Sequence, residues 1–386
     1  MKNVGIITIA KVNNYGAELQ AFALQKKLET EGFQAEIIDY LYYKNWRYKD
    51  TVKSRPFIPM TLKERIFYWV KYRALNFMIE KVFVAFNSNI RRRLRRFKSF
   101  HEEYSRFSKE FRSYPALYRE RMNYDVYVAG SDQVWNPTAC SSIEPYFLTF
   151  APERSKKISY ASSFGVSFIA ECLHERFRGL LNNIGEISVR EESGVQLVKQ
   201  LTGRDATLVV DPTLLLTSAE WVKYEKLYPN MPERYVLIYQ LSESEVIIDL
   251  AKSISKKRKI PVLRVCKRAF YENQYSGIQN ILDAGPSEFL WLIHNAEFII
   301  TNSFHGTAFS VNYHKPFFTV LSDKKKNNAR MESLLRTLKL QSRLVYEESY
   351  GSDDIGLNVD NIFTIEVDNR LNELREGSLK FLLNNI

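Results

Sequence analysis

The chain has 386 residues, of which 45% are apolar and 26% charged, and a formal net charge of +11; these are ordinary figures for a globular protein long enough for two cores. No apolar run reaches the roughly 18 to 20 residues of a membrane span, and the opening Met1-Lys-Asn-Val-Gly-Ile-Ile-Thr8 reads as a strand, not as a secretion signal. Cys140, Cys172 and Cys266 lie far apart without metal-type spacing, so the expectation is a reduced, cytoplasmic protein with inert thiols and no metal.

Val4 to Ile9 reads as a buried strand, and Leu19, Phe22, Ala23 and Leu28 then recur near helical spacing before Gly32. Ala35 to Asp39 completes a βαβ unit. Ligands of such units sit beyond the carboxyl ends of the strands, which makes Asn13, Asn14, Tyr15 and Gly16 a candidate contact loop. A plain Asn/Gly turn is the alternative. The loop lacks G-x-G-x-x-G, so a dinucleotide finds no support.

Between Leu41 and Arg121 stand 21 Lys and Arg against 7 Asp and Glu, a net of +14 that leaves −3 for the rest of the chain. This segment, 41–121, reads as a basic, aromatic, helical insertion in the first domain, with Phe67, Tyr68, Trp69, Tyr72, Phe77, Phe83, Phe86, Phe97 and Phe100 interleaved with Arg91-Arg-Arg-Leu-Arg-Arg-Phe-Lys98. Its basic face could be merely solvated, or could meet an anionic membrane surface. Nucleic-acid binding is set aside, because no recognised motif accompanies the charge.

Tyr124 to Ala129 is a buried strand running into Gly130-Ser-Asp-Gln-Val-Trp-Asn-Pro137. A polar cluster directly after an apolar strand marks the active edge of an α/β sheet, where Asp132 could act as a base or a sugar ligand, or simply close an Asx turn. Further strands are predicted at 157–162, at 187–189 with Arg190 at its exit, and at 207–210. The first Rossmann-like domain therefore spans 1–216, followed by a linker at 217–234 punctuated by Pro229 and Pro232.

Strands at 235–240, 261–265, 298–301 and 316–320 alternate with helices at 243–257, 286–294 and 305–313, a second Rossmann-like domain over 235–366. A helix over 367–386 closes the chain. Within this domain Phe298-Ile-Ile-Thr-Asn-Ser-Phe-His-Gly-Thr307 passes from buried strand to helix. Asn302 and Ser303 suit the N-cap, and a helix beginning near His305 turns its positive end toward an anion. His305 can titrate near neutral pH in that mouth. Two Rossmann-like domains facing a cleft is the layout of a GT-B-like fold, which by itself gives no reaction.

With Asn14-Tyr-Gly-Ala-Glu-Leu-Gln20, Gly130-Ser-Asp-Gln-Val-Trp-Asn136, Ser188-Val-Arg-Glu191 and Ser303-Phe-His-Gly-Thr307 in this order, the chain resembles the polysaccharide pyruvyl transferase family. The resemblance implies a GT-B-like transferase that moves the pyruvyl group of phosphoenolpyruvate onto two hydroxyls of a sugar. The product is a cyclic carboxyethylidene ketal, the by-product is phosphate, and phosphoenolpyruvate serves as co-substrate without any further cofactor. The acceptor implied is a sugar of a capsule or exopolysaccharide repeat unit, carried on a polyprenyl diphosphate at the inner face of the membrane, where 41–121 could hold the protein.

In that light His305 is expected as acid or phosphate partner, Asp132 as base, and Glu18 as reserve base. Arg190, Asn302, Ser303, Gly306, Thr307 and Arg330 are expected around the donor. Asn14, Tyr15, Ser131, Gln133, Trp135 and Asn136 are expected around the acceptor. Many members of the family carry Arg two residues before the motif His, where this chain has Ser303; Arg190 or Arg330 would have to supply that charge. A nucleotide-sugar glycosyltransferase and a non-catalytic glycan-binding member of a capsule assembly complex are the alternatives.

Overall fold

The computed structural model describes residues 1–266, 275–322, 328–351 and 362–386. Its chain divides into two compact units, Met1–Val84 with His101–Leu215 and Leu374–Ile386, and Ala85–Phe100 with Leu216–Glu373. Both are α/β with parallel sheets.

In the first unit, β1 (Asn3–Ile7), β2 (Gln34–Ile37), β3 (Val126–Ala129) and β4 (Lys156–Ser159) form a parallel sheet in the order β2-β1-β3-β4. Single bridges from Ile158 to Glu186 and from Ser162 to Val189 extend it toward β5 (Ser188–Val189), which pairs with β6 (Thr207–Leu208). Strands β1, β3 and β4 are short and, apart from the first residue of β1 and of β4, buried, as expected of a parallel sheet covered on both faces. The order reverses between β1 and β3. Loops leaving the carboxyl ends of these two strands therefore flank a topological switch point, the usual ligand position in such sheets.

The second unit holds β7 (Val236–Tyr239), β8 (Val262–Val265), β9 (Ile278–Ile281), β10 (Phe298–Thr301), β11 (Phe317–Leu321) and β12 (Leu344–Tyr346). Their order, β12-β11-β10-β7-β8-β9, is the 3-2-1-4-5-6 arrangement of a dinucleotide-type Rossmann sheet, with every pair parallel. The switch point lies between β7 and β10. Val236, Ile238, Ile247, Leu250, Phe298 and Ile300 make the core beneath it. Strands β9 and β12 were not expected; the exposed and half-exposed residues of β9, at the sheet edge, give no continuous apolar run.

Three expectations need correction. The segment 41–121 does not belong to the first unit throughout, because 85–100 packs with the second. In the helix Ser88–Tyr104, Arg92 pairs with Asp283 and Arg93 donates to the Cys266 carbonyl at 2.9 Å. Arg96 reaches the Asp283 carbonyl at 2.9 Å and Glu288 at 3.2 Å. Much of the charge read as a free basic face is thus spent on internal partners. Second, the insertion is not helical from its start. Tyr42, Tyr43, Tyr48 and Phe57 enter the core of the first unit on loop backbone and a single short turn. Third, the stretch read as linker holds the helix Ser218–Val222, capped by Thr217 and Glu220, with Trp221 fully buried against Phe309.

The closing helix runs Ile365–Asn384, and its part from Leu374 onward joins the first unit. There Ser378 accepts the Val210 N–H at 2.9 Å, and Arg375 donates to the Leu214 carbonyl at 2.7 Å. Among the described residues, no helix is long and apolar enough to cross a membrane.

Candidate functional site

The switch point of the first unit is stitched by one buried amide. Gln20, in the helix Tyr15–Thr30, donates to Thr8 Oγ1 at 2.9 Å and accepts the Ser131 N–H at 3.2 Å, while Thr8 donates to the Ser131 carbonyl at 2.9 Å. The loops after β1 and β3 are thereby fixed to each other. Lys11, Asn13 and Asp132 on these loops hold positive φ angles of 54°, 53° and 70°. Non-glycine residues adopt that region at a cost, and such residues gather where a site demands a particular backbone.

Asp132 stands at the exit of β3, partly exposed. Arg190 donates to its Oδ1 at 2.9 Å and to Asp211 Oδ2 at 2.7 Å, with its side chain only 1% exposed. Asp211 in turn accepts from the Thr213 N–H and hydroxyl at 3.0 and 2.8 Å, and from Ser131 Oγ at 3.2 Å. Burial alone would favour loss of the Arg190 proton, but Asp132, Asp211 and Glu191 outweigh it and raise its pKa. The expected donor cation Arg190 is held among carboxylates in this structure. Its charge is matched by carboxylates within its own unit, and its geometric effect is to aim Asp132.

Of the residues expected at the acceptor, Trp135 is corrected to the core. Its indole is fully buried, donates to the Tyr146 carbonyl at 2.9 Å and stacks on Phe147 with ring centroids 5.0 Å apart. Tyr15 and Ser131 are buried as well, and Asn14 caps its helix by accepting the Ala17 N–H at 3.2 Å. Gln133 and Asn136 remain partly exposed, joined by a 3.0 Å bond. Tyr42 and Tyr146 were missed. Burial first, neighbouring tyrosines next and then Asp132 hold both phenols protonated, well above their usual range. The Tyr146 hydroxyl is buried with no hydrogen-bond partner among the described residues, which suits a donor waiting for a polar ligand or water.

Glu18 is not a solvated helix carboxylate. It is buried, accepts the Lys11 and Val12 N–H groups at 3.1 and 2.8 Å, and meets His101 Nε2 at 2.7 Å. Burial pushes its pKa up, but His101 and the two backbone donors pull it below the ordinary value of 4.5. His101 is thus half of a carboxylate–imidazole pair. No local pattern could announce it, since its partner lies 83 residues away.

The second unit repeats the plan with different chemistry. Asn302 bridges the loops after β7 and β10, accepting the Leu241 N–H at 2.8 Å and donating to the Ser242 carbonyl at 2.8 Å. Ser303 is the N-cap of the helix Phe304–Asn312, accepting the Gly306 N–H at 3.3 Å. Thr307 is buried, bonded to the Ser303 carbonyl at 3.1 Å and to Thr319 Oγ1 at 2.8 Å. Gly306 lies so close to β10 that a Cβ there would come within 2.3 Å of Thr301 Oγ1. Asn302, Ser303, Gly306 and Thr307 hold this turn rigid, each through an internal contact.

At the turn itself, the rings of Phe304 and His305 meet edge-on with centroids 5.3 Å apart, and the Arg330 guanidinium lies 5.6 Å from the Phe304 ring. Arg330 belongs to the helix Ala329–Thr337 and is mostly buried. The structure therefore groups Arg330 with His305 within one unit and leaves Arg190 in the other. An imidazole and a guanidinium, each beside the first residue of a helix, suit a multiply charged anion. Among the described residues, no three His, Cys, Asp or Glu side chains are grouped to hold a metal ion.

Comparison with solved structures finds distant likenesses along most of the chain. The UDP-GlcNAc 2-epimerase from Methanocaldococcus jannaschii is 12% identical, with 97% of this chain and 92% of that chain covered and a TM-score of 0.45. Arabidopsis thaliana UGT89C1 complexed with UDP-L-rhamnose is 11% identical, with 98% and 94% covered and a TM-score of 0.49. E. coli heptosyltransferase WaaC with ADP is 10% identical, with both chains covered fully and a TM-score of 0.41. No curated protein matches the sequence. The family model described as "Polysaccharide pyruvyl transferase" matches residues 14–324, a span that includes Gln20, Asp132 and His305. By that match over most of its length, the chain belongs to the polysaccharide pyruvyl transferase family.

Proposed function

We propose that the protein transfers the pyruvyl group of phosphoenolpyruvate to two hydroxyls of a sugar, forming a cyclic carboxyethylidene ketal and releasing phosphate. One observation carries the donor assignment: His305 and Arg330 are each neighbours of Phe304, the first residue of a helix at the switch point of a Rossmann sheet. Phosphoenolpyruvate carries about three negative charges near neutral pH, which such a mouth suits. Arg330 takes the place of the family arginine that Ser303 replaces.

In the reaction a proton is added to the methylene carbon of the donor, leaving an oxocarbenium-like centre at the adjacent carbon. One sugar hydroxyl adds there, the carbon–oxygen bond to phosphate breaks, and a second hydroxyl closes the ring. Of the two hydroxyl protons released, one balances the proton taken up by the new methyl group and the other leaves with phosphate. His305 acts as the acid or as partner to the departing phosphate, and Asp132, aimed by Arg190, removes a proton from the acceptor. Tyr146, Gln133 and Asn136 supply hydrogen bonds to the sugar. The acceptor would be a capsule or exopolysaccharide repeat unit carried on a polyprenyl diphosphate.

The test is to supply phosphoenolpyruvate with a panel of galactose-, mannose- and glucosamine-type acceptors and follow phosphate together with the acid-labile ketal. Acceptor-dependent release of both supports the reading. Binding of UDP-, GDP- or CMP-sugars without any response to phosphoenolpyruvate would replace it by a nucleotide-sugar glycosyltransferase, whose diphosphate would use the same helix mouth. Binding of glycan with neither donor would leave a non-catalytic member of an assembly complex.

A further inference from the structure

Helical structure over 62–83 lacks the buried face that amphipathic helices normally own. Among its residues only Tyr68 is buried, whereas eight of the seventeen large apolar side chains exposed among the described residues stand on it. Leu62, Phe67 and Trp69 are 71%, 64% and 59% exposed. Concentrated apolar exposure of this kind marks an interaction surface.

The opposite side is anchored on the segment 43–50, mainly through polar contacts spaced four residues apart. Tyr68 donates to the Tyr43 carbonyl at 3.0 Å, Tyr72 meets the Tyr43 ring edge-on, Asn76 donates to the Lys44 carbonyl at 2.9 Å, and Glu80 accepts the Trp46 N–H at 2.7 Å. Two π-helical turns, Val70–Ala74 and Ile79–Phe83, lengthen the repeat enough to keep positions 68, 72, 76 and 80 on one face. The helix is therefore clamped with its apolar side chains held outward.

The charge of the segment selects the occupant. Lys63, Arg65, Lys71 and Lys81 stand against two acids, while Arg73 is paired with Asp50. Glu64 is drawn into the capping box with Thr61, and Glu80 holds Trp46. Lys71 lies 5.1 Å from the centre of the Phe67 ring, a pairing of cation and aromatic suited to a lipid headgroup boundary. A second copy of the chain would bring like charges together on a protein of net charge +11. A surface rich in anionic phospholipid would not.

We infer that 62–83 is an interfacial anchor that lies on an anionic membrane surface, its aromatic and aliphatic side chains in the headgroup boundary and its lysines at the phosphates. The anchor is independent of the pyruvyl-transfer reading, and it places the contact in 62–83, away from the Arg-rich helix whose Arg92, Arg93 and Arg96 have internal partners.

Flotation of the full chain with vesicles of phosphatidylglycerol and phosphatidylcholine, against phosphatidylcholine alone, tests it. At low salt the protein should partition about tenfold or more in favour of the anionic vesicles. The double variant Phe67→Ser, Trp69→Ser should lose about tenfold of that partitioning with its melting temperature unchanged, since both side chains are exposed. Lys63→Glu with Lys71→Glu should abolish the preference for anionic lipid. Failure to float at low salt, or flotation indifferent to both variants, overturns the inference. So does a concentration-dependent dimer that Phe67→Ser, Trp69→Ser abolishes, which would make a second copy the occupant.

Discussion

The two switch points share a scaffold and differ in charge. In each, a side-chain amide ties together the two loops that leave the reversing strands, the buried Gln20 in the first unit and the half-buried Asn302 in the second. In the first, the loop after β3 ends in a carboxylate, Asp132, balanced by Arg190 and, behind it, Asp211. In the second, the loop after β10 leads into a helix N-terminus with an imidazole and a guanidinium beside it. In the proposed reaction the same backbone device serves opposite tasks. A carboxylate edge suits hydroxyl groups that must lose protons, whereas a cationic helix mouth suits a phosphorylated acid.

Perturbing each side should break this contrast in a different way. The largest effect is expected at the second: His305→Gln should lower kcat by about 10² to 10⁴ with the far-UV spectrum unchanged, as for loss of a general acid. Next comes Arg190→Met, which should cost about 3 to 5 kcal/mol of stability, because it leaves Asp211 buried with its ion-pair partner removed. Thermal unfolding reads that loss directly. If Arg190→Met instead left stability intact and only weakened phosphoenolpyruvate, the division between the two turns would be wrong.

Asp132→Asn should lower kcat by about 10² while leaving the KM for phosphoenolpyruvate near its original value; a raised donor KM would move Asp132 to the donor side. The smallest effect concerns Glu18. Its folded pKa is depressed below 4.5 by His101 and the Lys11 and Val12 N–H groups, which together outweigh burial. Its contribution is therefore complete above 4.5 and lost as pH falls through the depressed value. Acid unfolding of the wild type should show that loss below 4.5, and Glu18→Gln should flatten it.

Local patterns in the sequence carried most of the sheet. Continuous apolar runs such as Phe298-Ile-Ile and Val126-Tyr-Val mark the buried parallel strands, and Ser303 was legible as an N-cap because capping is a short-range matter. Long-range pairing was not legible. Arg92 and Asp283 are 191 residues apart, so six basic residues in eight read as a free charged face when three of them have partners in the second unit. For the same reason Arg190 looked like a ligand until Asp132 and Asp211 were seen beside it, and Trp135 looked like a sugar platform until its stack on Phe147 placed it in the core. The π-helical turns of 62–83 had no signature either, because they follow from how that helix is clamped to the segment 43–50.

The most direct test of the donor assignment is calorimetric titration of phosphoenolpyruvate into the wild type and into Arg330→Gln. Binding to the wild type, weakened about tenfold to a hundredfold by Arg330→Gln as expected for loss of a charge-assisted contact, is the outcome that the geometry requires. Equal affinity in both proteins, or no binding of phosphoenolpyruvate to the wild type, would contradict it.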